Sequence, residues 1–284
     1  MGTFDPVDRA AYASFYEDGL SPLAAQARTP EAYRDAFRAH RISSYHQGGT
    51  TKGYVRGLAT DLAIRAAEAT GKPREEVHVL DAGCGAGELS VYFAAEGFRV
   101  TGVDISASGV RVSTELARRV GVASRCPFLE ESLEQLSLPD ASVDVVVGHG
   151  ALHHFIKYPG VPGELWRVMR PGARGFFADS FGENRAYRLF HDKAQMERLG
   201  DVILNRRLIR EYFTDFEVRI TPTDWVSMLD KLYERATRGR LERLRRGVAR
   251  VHRAIDRRVP ADSSLALMLS GAVVTAIRKP LGAP

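Results

Sequence analysis

Two cysteines in 284 residues are too few for a disulfide framework. Cys84 stands in a glycine-rich turn and Cys126 precedes Pro127, so neither suggests a bridge, and a reducing cytoplasm is the expected compartment. Lysine is also scarce: six of the 40 basic residues, the rest being arginine. With the many alanines, that reflects the codons of a GC-rich genome and says nothing of function. No run of about 18 apolar residues occurs, so no membrane span is expected. Residues 1–19 (MGTFDPVDRAAYASFYEDG) are acidic and lack the apolar stretch of a secretion signal. There is no internal repeat and no low-complexity tract.

What is present is enough apolar material, 44% of the chain, for one large domain or one domain with a subdomain. The net charge of +5 is unevenly placed. Residues 231–258 alone hold eleven Lys/Arg against three Asp/Glu, so the remainder is slightly acidic.

Residues 1–72 read as a helical lid. Tyr12, Phe15 and Tyr16 share one helical face, Ala32, Ala36 and Phe37 mark a second helix, and 55–69 a third. Turn residues at 43–53 (SSYHQGGTTKG) interrupt them. From Glu76 strands and helices alternate, which predicts a parallel sheet covered on both faces. Strands are expected near 77–81, 99–103, 125–129, 143–148, 174–179 and 216–221, with a last apolar strand within 265–277. Helices are expected near 87–96, 107–120, 160–169, 186–199 and 206–213. Between Pro222 and Pro260 lies a basic helical insert, in which Leu241, Leu244, Val248, Val251 and Ile255 form one apolar stripe. The division expected is a lid (1–72), a core (73–221 and 262–284) and a cap (222–261).

Residues 77–90, VHVLDAGCGAGELS, carry the densest signal. Val77, Val79 and Leu80 read as the end of a buried strand, Asp81 closes it, and Gly83, Gly85 and Gly87 open a helix. Alternate glycines let the backbone turn tightly and approach a ligand, and the helix that follows points free N–H groups the same way. A dinucleotide fingerprint is spaced G-x-G-x-x-G. Here the spacing is G-x-G-x-G, with an acid two residues ahead of the first glycine. That acid suits a cationic amino-acid moiety and would repel a pyrophosphate, so the inferred ligand is S-adenosylmethionine. Residues 99–103 form a second apolar strand ended by Asp104. An acid about 20 residues past the glycines can accept hydrogen bonds from both ribose hydroxyls. The rival is a nicotinamide-binding Rossmann unit, which shares the second acid.

These pieces, with LPDASVDVVVGHGALHHF and ELWRVMRPGARGFFADS further on, resemble the class I S-adenosylmethionine-dependent methyltransferases. Within them the chain is similar to the small-molecule branch that includes the ubiquinone/menaquinone methyltransferases. The resemblance spans roughly residues 77–179. It implies a Rossmann-like α/β fold with a seven-stranded mixed sheet, its last strand antiparallel and helices on both faces. It also implies that Asp81, Gly83, Cys84, Gly85 and Gly87 line the methionine part of the cofactor. Asp104 would hold the ribose and Ile105 would pack on the adenine. Ser132 stands where the family presents an acid to the adenine amine; Leu133 can offer its N–H, and Glu131 or Glu134 could substitute. The 148–150 turn, with His149, would wall the methionine end. Ala173 replaces a second glycine after Pro171-Gly172.

Methyl transfer is an in-line displacement, for which orientation supplies roughly 7–11 kcal/mol and a base about 10²–10⁴-fold. His153 and His154 are the candidate bases, set against a packing and capping role for LHHF. Tyr16, Tyr45, His46 and His191 are candidate substrate contacts, and Glu183 could face substrate or solvent. No metal site is expected, since the histidines lack further ligands at suitable spacing. The reading is a cytoplasmic enzyme that uses S-adenosylmethionine, releases S-adenosylhomocysteine and methylates a small or medium molecule, a specialised natural product, at carbon, oxygen or nitrogen. A homo-oligomer is left open. The rivals are a nucleic-acid methyltransferase using the basic insert, and a binding protein or an enzyme of cyclisation or aminopropyl transfer. The amine-directed nucleic-acid version loses most of its weight, because GHGALHH stands where an Asn/Asp-Pro-Pro-aromatic motif is usual.

Overall fold

A computed structural model describes residues 27–39, 52–183, 202–223, 258 and 260–282. Seven strands follow in chain order: β1 (His78–Ala82), β2 (Arg99–Asp104), β3 (Phe128–Glu130), β4 (Val143–His149), β5 (Met169–Ser180), β6 (Glu217–Thr223) and β7 (Ala272–Arg278). They form one sheet in the order β3-β2-β1-β4-β5-β7-β6. β1 to β5 pair parallel, and β7 lies antiparallel between β5 and β6. This is the mixed sheet expected, with helices on both faces.

The central strands are apolar runs because both of their faces are covered. Alternate residues feed two cores. Val79, Val145, Phe176 and Val274 face one; Leu80, Val146, Phe177 and Val273 face the other. The first core is closed by α1 (Pro30–Phe37), α2 (Lys52–Glu68), α3 (Glu88–Ala95) and α4 (Ala107–Val120). The second is closed by α5 (Leu152–Phe155), α6 (Val161–Val168), α7 (Arg206–Tyr212) and α8 (Ser264–Leu269). α2 lies against β4, β5 and β7, and α1 lies against α3.

Local signals set the helix ends. Thr29 caps α1 with Pro30 in its first turn, Ser106 caps α4, and Asn205 caps α7. Gly121, at φ 84°, ends α4 in the left-handed conformation that suits glycine.

Two expectations are corrected. The third strand begins at Phe128, not 125, because residues 123–125 form a 3₁₀ turn and Pro127 has no N–H to give a ladder. The segment 265–277 splits into α8 and β7, since Ser263 caps a helix there through its side chain. β5 is also longer than 174–179, extending back to Met169 through a bulge. The aromatic helix with Tyr12, Phe15 and Tyr16, the expected helix 186–199 and the apolar stripe of the basic insert lie outside the described residues.

Candidate active site at the carboxyl ends of the strands

The glycine turn after β1 is built by its own backbone. Gly83, Gly85 and Gly87 all have positive φ, at 76°, 52° and 75°. Gly83 and Cys84 donate their N–H groups to the Val103 carbonyl at 2.9 and 3.0 Å, tying the turn to the end of β2. A Cβ on Gly83 would lie 2.9 Å from Cβ of Ala151, and one on Gly87 2.4 Å from Cβ of Ser113. Both glycines are therefore required by close approach within the fold as well as by φ.

Asp104 ends β2 and is fixed by two backbone donors. Gly85 N–H reaches its Oδ2 at 2.8 Å, and Ser106 N–H its Oδ1 at 2.9 Å. A carboxylate can accept about four hydrogen bonds, so each oxygen keeps acceptor capacity for a neighbouring diol. Burial raises the Asp104 pKa, and His154 lies within electrostatic reach and lowers it.

Asp81 is 1% exposed, beneath the turn, and its Oδ2 accepts from Ser90 Oγ at 2.6 Å. Burial pushes its pKa up to about 7, and the charge of Asp104 adds to the rise. A partly compensated carboxylate under the turn suits a cationic ligand above it. Cys84 is no nucleophile: burial, with the two acids nearby, raises its thiol well above the usual range.

The loop after β3 is held by its own polar groups. Ser132 Oγ accepts from the N–H of Glu134 at 3.1 Å, and Leu133 is buried in the second core. Glu131 accepts from the N–H of Ser137 and Glu134 from that of Gly160, so neither replacement acid is idle. Ile105 is half-buried beside Asp104.

At the end of β4, Thr60 of α2 donates its hydroxyl to the Arg56 carbonyl at 2.8 Å. His149 Nε2, 3.4 Å from Thr60 Oγ1, is therefore the donor of that pair. Arg56 reaches the same turn, with Nη2 3.4 Å from where a Cβ of Gly150 would lie. The two candidate bases separate. His153 Nδ1 is 2.5 Å from Oδ1 of Asp179 near the end of β5, while His154 is coupled to Asp104. The two imidazoles lie 3.8 Å apart.

Asp179 and Thr60 were absent from the sequence reading. Asp179 repeats a signal already used twice, an acid at the end of an apolar strand. Thr60 had none, because only packing brings α2 to β4. Glu183 accepts from the Arg206 N–H and pairs with its guanidinium. Tyr16, Tyr45, His46 and His191 lie outside the described residues. Among the described residues no group of three His, Cys, Asp or Glu is arranged to hold a metal ion.

Residues 80–177 match a methyltransferase domain family, and the seven-stranded sheet is the one expected of a class I S-adenosylmethionine-dependent methyltransferase. S-adenosylmethionine is the cofactor of this domain. The Asp104 acceptors and the cation-seeking Asp81 fit it.

The chain is 38% identical over 102 residues to malonyl-(acyl-carrier protein) O-methyltransferase of Pectobacterium atrosepticum, covering 36% of this chain and 38% of that protein. It is 38% identical over 97 residues to 27-O-demethylrifamycin SV methyltransferase of Amycolatopsis mediterranei, covering 34% and 36%. It thus spans less than two fifths of these relatives. Its fold is similar to that of geranyl diphosphate C-methyltransferase of Streptomyces coelicolor A3(2), solved with Mg2+, geranyl diphosphate and S-adenosylhomocysteine. There the TM-score is 0.61 at 15% identity, covering 98% of this chain and 100% of that one.

Proposed function

We propose that the protein transfers the methyl group of S-adenosylmethionine to a small or medium organic molecule, a specialised metabolite, at carbon, oxygen or nitrogen. The observation that carries this is Asp104, held by the Gly85 and Ser106 N–H groups beside the glycine turn with acceptor capacity left for a ribose. When bound, the cofactor supplies an electrophilic methyl group on a sulfonium. The chain's own residues do the rest. Asp81 provides negative potential under the turn, Asp104 orients the nucleoside, and His149 and Thr60 shape the end of β4. The similarity to 27-O-demethylrifamycin SV methyltransferase supports a natural-product role.

A cytoplasmic location and the division into lid, core and cap belong to the same proposal. Among the described residues no helix is long and apolar enough to cross a membrane. The test is calorimetric titration with S-adenosylhomocysteine, followed by transfer of labelled methyl groups to a panel of small alcohols, phenols, amines and activated carbon acids. Micromolar binding with methylation of one class is expected. Failure of the folded protein to bind would overturn the reading.

A further inference from the structure

We propose that Ile203 forms the apolar wall of the methyl-acceptor subsite, and that the acceptor presents to it an uncharged hydrocarbon surface, a ring or an alkyl chain. This rests on the methyl-transfer reading above.

The segment before α7 is tied to the carboxyl end of the sheet from two sides. The Val202 N–H donates to the His153 carbonyl of α5 at 3.0 Å, and the Gly182 N–H, just past β5, donates to the Leu204 carbonyl at 2.9 Å. The side chains divide accordingly. Leu204 is buried and Val202 packs on the second core, while Ile203 between them is 38% exposed. Ile203 lies against Gly182, where a Cβ would come within 1.9 Å of its Cγ2. Non-bonded carbons approach no closer than about 3.5 Å without strain, so a larger residue at 182 would displace the isoleucine. The neighbourhood is that of the cofactor turn: α5 follows Ala151, whose side chain meets Gly83.

A solitary exposed isoleucine would need no explanation. Among the described residues, however, the exposed large apolar side chains are gathered. Leu281 lies by Gly172, near the start of β5. Ile203, Leu265 and Met268 belong to the opposite end. Leu265 and Met268, 67% and 55% exposed, share one face of α8. That helix leads into β7, where Ala272 pairs with Ser180, the last residue of β5. Arg206, three residues on from Ile203, joins α7 to α8 by donating from Nη1 to Ser264 Oγ at 2.8 Å.

The charges of the flanking segments are already matched. Glu183 accepts from the Arg206 N–H and pairs with its guanidinium, and Arg210 pairs with Asp262 at 2.6 Å. Such a surface has little to offer a charged acceptor. It favours a ligand whose apolar area it can take from water.

The test watches the isoleucine itself. Protein carrying 13C at the isoleucine δ1 methyls and saturated with S-adenosylhomocysteine is titrated with 2-naphthol and, separately, with naphthalene-2-sulfonate. The Ile203 signal, assigned through Ile203→Val, should shift with 2-naphthol and stay still with the sulfonate. Ile203→Ser should weaken 2-naphthol binding roughly tenfold. S-adenosylhomocysteine affinity should stay within about twofold and the melting temperature within about 2 °C. Ile203→Ala takes its place if the serine variant folds poorly. A stationary Ile203 methyl or a preference for the sulfonate would overturn the proposal. Unchanged 2-naphthol affinity in the variants would do the same, and a lowered melting temperature beside it would show that the chain's own residues cover Ile203. If the wild type binds no S-adenosylhomocysteine, the methyl-transfer reading falls, and the same titrations of the free protein still decide whether Ile203 lines a hydrocarbon site.

Discussion

Removing the Asp104 carboxylate does two things at once. It takes away the proposed ribose acceptor and releases the Gly85 and Ser106 N–H groups that shape the turn. Hydrogen bonds to a charged group are worth about 1.5–3 kcal/mol each. Asp104→Ala should therefore weaken S-adenosylhomocysteine binding by at least about tenfold, and calorimetry on the folded variant measures it; unchanged affinity would remove the ribose role. Asp81 makes a prediction about pH. Its folded pKa of about 7 lies above the ordinary carboxyl value, so the folded state holds a proton that the unfolded state has lost. The stability it contributes is complete below about pH 4 and is lost as pH rises through 7. Asp81→Asn should then melt higher than the wild type at pH 8, by up to about 4 kcal/mol of stability. The gap should close toward pH 4.5. A gap independent of pH in thermal melts would show that Asp81 titrates normally.

Two elements hold the site from outside it. Arg167 of α6 donates to the Leu136 and Leu138 carbonyls, to Asp140 and to Glu164. Glu164 in turn accepts from the N–H of Leu136 at 2.6 Å. One arginine thus fastens the loop between β3 and β4, whose first residues are those proposed to meet the adenine. Arg167→Ala takes the guanidinium partner from Glu164 and from two carbonyls, at a cost of roughly 1–3 kcal/mol. Hydrogen exchange should quicken across residues 131–141, and S-adenosylhomocysteine affinity should fall several-fold while the sheet stays protected. Uniform loss of protection would mean that Arg167 supports the whole domain. The second element is α7. Tyr212 places its hydroxyl 2.9 Å from the Phe155 carbonyl and 2.7 Å from that of Tyr158, so the short helix carrying both histidines is pinned at its end.

Across the whole molecule the sheet separates two polar sites. The carboxyl ends carry the candidate active site. The amino ends carry a polar network about His78, whose Nδ1 lies 2.9 Å from Arg99 Nη2 and 3.1 Å from the Ser142 carbonyl and whose Nε2 lies 2.9 Å from Thr101 Oγ1. The His78 N–H donates to Asp144, which also pairs with Lys72 and Arg170. Burial, with the Arg99 charge behind it, lowers the His78 pKa to about 4. The folded state therefore refuses a proton that the unfolded state binds below about pH 6.5. Stability from this group is complete above pH 6.5 and is lost as pH falls toward 4, by up to about 3 kcal/mol. His78→Gln should melt lower than the wild type at pH 8 and lose that deficit in acid, opposite to Asp81→Asn. Parallel melting curves from pH 8 to 4.5 would sink this assignment.

The sequence determined the order of strands and helices, the glycine turn, the two acids and the helix ends, because each depends on neighbours a few residues apart. Apolar periodicity located α4 at its observed limits, and Asp81 and Asp104 were readable as acids that end strands. The start of β3 was misplaced because Pro127 removes a ladder donor only once a partner strand lies alongside. Tertiary structure alone decided that Asp81 is buried against Ser90 while Asp104 keeps an open side. It alone decided that α2 brings Thr60 to His149, and that His153 and not His154 meets Asp179. Those distinctions rest on pairs from 9 to 89 residues apart, and strand pairing and helix packing, not spacing along the chain, bring such groups within hydrogen-bond reach.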